Sequence, residues 1–279
     1  MTEATRQMKL SISNIAWSPA NDSEVALLLN REDVHAIDIA PGKYFTDFPN
    51  VNLEEVSRVK TWWNARGIEI VGMQSLLFGV SGLNVFGDMQ TRRRLRQHMK
   101  GVFRISSELG ALRLTFGSPK NRDRSGLSDD AALDIAAEAF LGMAEDARSY
   151  GVTLCLEPNP VLYGCNFLTN TREVAEFVRL LDHPALRLQL DIGAMCMNNE
   201  SPSLIEEVID LVGHIHISEP HLRVLSSRSS FHQAVFSVLE YLGWGDFVTI
   251  EMLSSESATE LSDVSNALLA AKAYLAQEV

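Results

Sequence analysis

The sequence predicts one α/β domain over residues 1–279, a single (β/α)8 TIM barrel, and three observations lead to this fold class. Eight short apolar runs of strand character alternate with eight helical patterns. No low-complexity linker interrupts the alternation, and 279 residues suit one such barrel. A doubly wound open sheet is the alternative, but the GxGxxG phosphate motif that it would want after an early strand is absent.

The predicted strands are short runs rich in β-branched and aliphatic residues, each followed within a few residues by polar or turn-forming ones. They are LSISNIA (10–16), HAIDIA (35–40), IEIVGMQ (68–74), LRLTFG (112–117), TLCLEP (153–158), LRLQLD (186–191), HIHIS (214–218) and FVTIEM (247–252).

The predicted helices occupy the intervals between these strands, and several carry end signals in the sequence. A glycine ends the patterns at 67, 110 and 151, and Ser128 is placed to cap the helix that follows it. The eight helices are expected at 23–31, 53–67, 90–110, 128–151, 171–181, 203–213, 229–243 and 257–276.

The last four predicted strands separate an aliphatic phase from a polar phase. In HIHIS, Ile215 and Ile217 alternate with His214 and His216, and the other three runs alternate in the same way. We therefore expect the aliphatic side chains to pack against the helices and the polar ones to point into the barrel.

Four polar side chains of this inward phase lie near the C-terminal ends of their strands, where TIM barrels build their active sites. They are Glu157, Asp191, His216 and Glu251. Each alone would more often be a buried hydrogen-bonded residue than a ligand. Together they indicate one bound divalent metal ion, because three converging carboxylates repel each other unless a cation neutralises them. Oxygen and imidazole donors suit Mn²⁺, Mg²⁺, Co²⁺ or Zn²⁺.

The motifs LEPN (156–159), LDIGA (190–194), HIHISEP (214–220) and TIEM (249–252) resemble the xylose isomerase-like barrel superfamily, and their intervals look like those of ketose 3-epimerases. This resemblance implies an enzyme, a metal-dependent isomerase or epimerase of carbohydrate metabolism. Glu157, Asp191, His216 and Glu251 would hold the metal, with manganese among the candidates. Glu157 and Glu251 would also be the catalytic pair that moves a proton next to a carbonyl.

The sequence departs from the ketose 3-epimerase pattern around the metal. Ala194 stands where a substrate-binding histidine is usual, Tyr163 replaces a second glutamate, and Leu222 replaces an arginine, with Arg223 beside it. The metal centre therefore carries over, but the usual pocket for a free ketose does not. The missing histidine also counts against endonuclease IV, a member of the same superfamily with a trinuclear zinc site.

Two alternatives stay open for the function. A dehydratase or lyase of the inosose dehydratase type would keep the metal and change the product. A barrel that binds a sugar-like ligand without turnover would keep the fold, and it would be favoured if all four ligand side chains paired internally without metal.

Five further residues are candidates for binding the sugar-like small-molecule substrate. Lys120 and Arg122 lie in FGSPKNRDR (116–124), after the fourth strand, where cations could bind a phosphate or carboxylate. Arg223 and Glu219 follow the seventh strand, and Trp17 follows the first. The alternative for the loop at 116–124 is that its cations are solvated and pair with surface acids. The alternative for Trp17 is that it only packs at the rim of the barrel.

Composition limits the partners and the location. The chain has 24 basic against 36 acidic residues and a net charge of −12, so no nucleic acid partner is expected. It has no run of about 18 apolar residues that would span a membrane and no signal-peptide pattern at its N-terminus. Three cysteines are an odd count that fits a reducing compartment, and we expect a cytoplasmic protein that could form a homo-oligomer.

Overall fold

The computed structural model describes residues 7–226, 229–254 and 256–276, and its strands form one closed parallel barrel in sequence order. This confirms the predicted fold class. The strands are β1 (Lys9–Ser13), β2 (Ala36–Ile39), β3 (Glu69–Met73), β4 (Arg113–Phe116), β5 (Thr153–Leu156), β6 (Leu186–Asp191), β7 (Val212–Ser218) and β8 (Phe247–Glu251).

The helices follow the predicted order. They are α1 (Asp22–Arg31), α2 (Leu53–Asn64), α3 (Met89–Leu109), α4 (Asp129–Ser149), α5 (Thr171–Leu181), α6 (Ile192–Met197), α7 (Leu204–Val208), α8 (Ser230–Tyr241) and α9 (Glu260–Leu275). Ser128 caps α4 by accepting a hydrogen bond from the amide of Ala131, as expected. Gly110 ends α3 with φ 83°, a left-handed conformation that glycine adopts without steric cost.

The structure differs from the prediction at two places. The short helix α6 starts directly after β6, a point where its sequence IGAMCM carries no amphipathic pattern. The helix expected at 203–213 stops at Val208, and β7 begins at Val212, two residues before the predicted strand. No helix in the described part of the chain combines the length and apolarity needed to cross a bilayer.

The aliphatic and the polar side chains of the strands point in the predicted directions. The aliphatic residues Ile215 and Ile217 are fully buried in the hydrophobic core. The polar phase is hydrogen-bonded across the barrel interior, where Thr115 of β4 donates to Gln189 of β6 over 3.1 Å. The histidines of β7 therefore face inward, as their alternation indicated.

The strand register sets the height of the functional side chains in the barrel. Asp191 pairs with His216 across β6 and β7, and Ser218 pairs with Glu251 across β7 and β8. Asp191 at the end of β6 is thereby level with His216, two residues before the end of β7, and the ends of β7 and β8 are level with each other. The inward side chains of these strands therefore meet near one end of the barrel.

Candidate metal centre

Four side chains converge at the C-terminal end of the barrel: Glu157, Asp191, His216 and Glu251. Each offers one ligand atom, and these atoms all lie within 4.8 Å of one another. Glu157 follows β5, Asp191 and Glu251 end β6 and β8, and His216 lies inside β7. The structure thus brings together the complete predicted ligand set, here named the four-ligand cluster.

One buried nitrogen tests whether this cluster fits a metal ion. The Nδ1 atom of His216 makes no hydrogen bond, and it lies 3.4 Å from Oε2 of Glu251 and 3.7 Å from Oε1 of Glu157. Metal–ligand bonds of about 2.0–2.2 Å place neighbouring ligand atoms roughly 3–4.4 Å apart. The spacing and the donor atoms therefore fit one divalent cation, which would give this nitrogen the partner that the protein does not provide.

Without a cation the cluster is electrostatically frustrated. Burial, together with the charges of Glu157 and Glu251, raises the pKa of Asp191 from its ordinary 3.8 to about 8. Burial also opposes ionisation of Glu251, but the nearby charge of His216 and the hydrogen bond from Gln74 outweigh it and lower the pKa of that glutamate. The carboxylates thus compete for a limited positive charge, which a divalent metal would supply.

Asp38 contacts His216 on the side of the ring that is opposite to the four-ligand cluster. Its Oδ2 lies 3.3 Å from Nε2 of His216 and 2.7 Å from Nε2 of His214. Burial would raise the pKa of Asp38, but the charges and hydrogen bonds of the two histidines outweigh burial and hold that pKa well below its usual range. A carboxylate bound to the far nitrogen fixes the ring so that Nδ1 faces the cluster.

Asp38, His214 and His216 also lie close enough together to hold a metal ion. Both histidines already hydrogen-bond to Asp38. Nε2 of His214 also lies 3.2 Å from the hydroxyl of Thr249. The three side chains therefore form a supporting hydrogen-bonded group behind the four-ligand cluster. His214 is thus a hydrogen-bonded residue of the barrel interior.

Amide side chains hold the two glutamates of the cluster. Gln74 donates to Oε1 of Glu251 over 2.5 Å, and Asn159 donates to Oε2 of Glu157 over 3.1 Å. In each glutamate the other oxygen is the one near Nδ1 of His216. One oxygen is thus anchored while the second remains available to a metal or a substrate.

Ser218 supports the cluster as well, since its hydroxyl donates to Oδ2 of Asp191 over 2.8 Å. Sequence reasoning did not single out four of the supporting residues: Asp38, Gln74, Asn159 and Ser218. Asp38 and Ser218 belong to the inward phase of their strands, so the alternation that identified the ligands could have found them. Gln74 and Asn159 lie just beyond the ends of β3 and β5, where the alternation no longer applies.

A cavity of about 590 Å³ opens above the cluster and is named the mouth cavity here. The carboxylates of Glu157, Asp191 and Glu251 lie at its base, and the loops that follow the strands form its walls. Glu219 lines the cavity, as do Ala194, Tyr163 and Leu222. The positions that depart from the ketose 3-epimerase pattern therefore all face the same space.

The predicted cations after β4 do not line the mouth cavity. Arg122 is 0% exposed, and its Nη2 donates to the backbone carbonyl of Glu157 over 2.7 Å. The guanidinium therefore has no surface to offer a substrate, and it holds the chain next to a ligand residue instead. Lys120 is exposed on the outer side of the same turn.

The remaining candidates differ in their position relative to the mouth cavity. Trp17 is buried, donates its indole N–H to Asp22 and packs edge-on against Trp63, so it is a packing residue. Arg223 is exposed and donates to the carbonyl of Pro220. Glu219 faces the mouth cavity and accepts from the amide of Ser226.

Comparison with known proteins identifies similar sequences. The family model described as "Xylose isomerase-like TIM barrel" matches residues 30–272. The L-ribulose 3-epimerase of Mesorhizobium japonicum is 28% identical over 123 residues, which are 44% of this chain and 41% of that protein. The chain is thus matched to about two fifths of that relative's length.

Solved structures share the fold at lower identity. D-psicose 3-epimerase from Clostridium cellulolyticum H10 superposes with a TM-score of 0.75 at 18% identity, covering 95% of this chain and 97% of the other. The 3-keto-D-glucoside 4-epimerase of E. coli has a TM-score of 0.74 at 16% identity and covers 94% and 99% of the two chains. At these identities the similarity concerns the fold.

Proposed function

The chain belongs to the xylose isomerase-like TIM barrel family, and on that premise we propose that it is a divalent-metal-dependent isomerase or epimerase of a sugar or sugar derivative. The observation that carries the proposal is the arrangement of Glu157 and Glu251. Each has one carboxylate oxygen anchored by an amide and the other beside the unpaired Nδ1 of His216. Two such carboxylates at one ligand site are what proton transfer next to a carbonyl requires.

The proposed mechanism divides the work among the four residues of the cluster. Asp191 and His216 serve as ligands, and Glu157 and Glu251 serve as ligands and as the acid–base pair. A bound divalent metal would polarise the substrate carbonyl and stabilise the negative charge that develops when the neighbouring carbon loses its proton. Glu157 and Glu251 come from strands that are three apart around the barrel, so they reach a bound substrate from different sides. One carboxylate then removes the proton and the other returns one.

The similar proteins support this class of reaction. The Mesorhizobium relative and the Clostridium structure are both named as sugar 3-epimerases, and the E. coli structure as a 4-epimerase of a 3-keto-D-glucoside. We extend the epimerase chemistry to this chain because the four candidate ligand atoms lie within 4.8 Å of one another. The donor set suits Mn²⁺, Mg²⁺, Co²⁺ and Zn²⁺. Turnover measured after loading with each of these metals would identify the one that the protein uses.

We also propose that the protein acts in carbohydrate metabolism in the cytoplasm. In the described part of the chain Cys155, Cys165 and Cys196 are all free thiols, and two of them are buried. Free cysteines are typical of a reducing compartment. The proposal of a single barrel domain and of association into a homo-oligomer rests on the sequence.

Hydrogen exchange at the substrate tests the chemistry. The metal-loaded protein is incubated in D₂O with ketohexoses and a 3-keto-D-glucoside, and deuterium incorporation and products are followed by NMR. We expect incorporation at one carbon, and both Glu157→Gln and Glu251→Gln to reduce turnover at least about 100-fold, the lower range of acid–base contributions. Glu240→Gln, an exposed change on α8, is the matched control and should keep full turnover.

Metal content is measured in the same samples, because loss of metal would imitate loss of acid–base function. Asp191→Ala should abolish stoichiometric metal binding. A glutamine variant that keeps both metal and near-normal turnover would refute the role of that glutamate. Loss of water from the substrate would instead identify a dehydratase, and metal binding without any exchange would favour a non-catalytic barrel.

A further inference from the structure

The charge of the mouth cavity restricts the substrate. Four acidic residues line it: Glu157, Asp191, Glu219 and Glu251. Within residues 7–226, 229–254 and 256–276, no lysine or arginine is among its lining residues. A bound divalent metal would offset part of this charge, but only at the base of the cavity. A phosphate or carboxylate placed against the walls would lose its hydration and meet the acidic Glu219 without a guanidinium or ammonium partner. The walls of the cavity therefore favour an uncharged molecule.

The cavity is lined by apolar side chains of the loops as well as by polar groups. The hydrogen-bonding residues Gln74, Asn159 and Ser218 lie at the strand ends and contact the carboxylates of the cluster. The loops beyond the strand ends contribute apolar side chains to the lining, among them Leu77, Phe78, Pro160 and Leu222. Phe78 is 85% exposed, so its ring is available to a ligand. A ligand that fills the cavity would meet the polar groups of the cluster and, beyond them, exposed apolar surface on the loops.

Part of the apolar wall is held in place by backbone hydrogen bonds. His221 and Leu222 adopt left-handed conformations with φ 62° and 52°, which are unfavourable for a leucine. The amide of His221 donates to the hydroxyl of Tyr163 over 2.9 Å, and the amide of Leu253 donates to the carbonyl of Leu222 over 2.8 Å. These bonds tie the loop after β7 to the loops after β5 and β8. The apolar wall is therefore preorganised for binding.

We propose that the substrate is an uncharged sugar derivative that carries an apolar substituent about the size of an aromatic ring. Its hydroxylated, carbonyl-bearing end meets the four-ligand cluster, and its substituent packs against Phe78 and Leu222. The inference rests on the proposed function for the reacting end. The cavity volume of about 590 Å³ falls within the usual range for small-molecule sites and leaves room for the added group.

Three probes with the same reacting ketone test the inference: the methyl glycoside of 3-keto-D-glucose, its phenyl glycoside, and the 6-phosphate of the methyl glycoside. Their dissociation constants are measured by calorimetry on the metal-loaded protein. We expect the phenyl glycoside to bind at least about 10-fold tighter than the methyl glycoside, because burial of its ring adds apolar contact. The phosphate should bind no tighter than the methyl glycoside. Tighter binding of the phosphate, or equal binding of both glycosides, would overturn the inference.

Variants locate the preference on the wall. Phe78→Ser and Leu222→Ser should each reduce the phenyl-to-methyl preference at least about 3-fold, because each removes part of the apolar contact. Leu162→Ser is the matched control, since Leu162 is 77% exposed on the adjacent loop but does not line the cavity. It should leave the preference unchanged. If Phe78→Ser changes the oligomeric state and not the preference, the ring contacts a second copy of the chain and the inference fails.

Deuterium exchange measured with the same probes separates this inference from the proposed function. Exchange into all three probes without a binding preference would retain the proposed chemistry and overturn the substrate class. A clear phenyl preference without exchange into any probe would support the apolar wall and refute the acid–base role of the glutamates.

Discussion

Gly117, directly after β4, is a single residue on which the position of a proposed metal ligand depends. A Cβ atom at this position would lie 1.9 Å from Oε2 and 2.9 Å from Cδ of Glu157. The carboxylate can therefore occupy its place only because residue 117 has no side chain. This close approach explains why a glycine follows the apolar run of the fourth strand.

We predict that Gly117→Ala weakens Mn²⁺ binding at least about 10-fold, since displacing a group that supports a metal ligand commonly costs that much. Calorimetric titration of the metal-free protein measures the affinity. Gly42→Ala is the matched control, because no atom lies within 4 Å of the added Cβ there. Unchanged affinity in Gly117→Ala would show that Glu157 is not a ligand.

At the scale of secondary-structure elements, the junction of β6, α6 and β7 depends on one hydroxyl. Ser218 at the end of β7 donates to Oδ2 of Asp191 over 2.8 Å and accepts from the amide of Gly193 over 2.9 Å. Asp191 also caps α6 by accepting from the amide of Ala194 over 2.6 Å. A proposed metal ligand is therefore also the N-cap of a helix, and Ser218 secures both.

We predict that Ser218→Ala lowers the free energy of unfolding by about 1–3 kcal/mol, because it leaves a buried amide without its acceptor. Urea denaturation of the metal-loaded protein measures this change. Ser237→Ala, which removes an exposed hydroxyl bonded to the carbonyl of Gln233 on α8, should change stability by less than about 0.5 kcal/mol. An equally small effect at Ser218 would contradict the proposed junction.

The whole molecule has to tolerate a buried cluster of carboxylates when no metal is bound. The folded protein raises the pKa of Asp191 from its ordinary 3.8 to about 8, chiefly through burial. Between about pH 4 and pH 8 the unfolded chain has released this proton while the folded protein keeps it. The contribution of Asp191 to stability therefore falls as the pH rises through that interval.

We predict that Asp191→Asn becomes increasingly more stable than the metal-free wild type as the pH rises from about 5 to about 8, because asparagine has no proton to lose there. Urea denaturation in EDTA at several pH values measures the difference in unfolding free energy. Excess Mn²⁺ should reverse the order, since metal binds the folded wild type and stabilises it. A difference that stays constant with pH would exclude this account of Asp191.

The sequence by itself determined the barrel and the proposed ligand set. The order of strands and helices follows from local periodicity, which a chain segment expresses without reference to the rest of the molecule. The alternation of His214 and His216 with Ile215 and Ile217 indicated which phase faces inward, and the structure agrees. The four ligands follow strand order, so knowing the strand ends was sufficient to group them.

Only the tertiary structure decided which residues support the cluster and which face the substrate. Asp38 and His216 are 178 positions apart in the sequence, and no local sequence pattern predicts that they form a pair. The turn after β4 directs Arg122 inward to the carbonyl of Glu157 and leaves Lys120 exposed, although both stand in the same polar run. Strands have a fixed alternation of side-chain direction, whereas loops have none. The direction of a loop side chain is therefore set by its packing against distant parts of the chain.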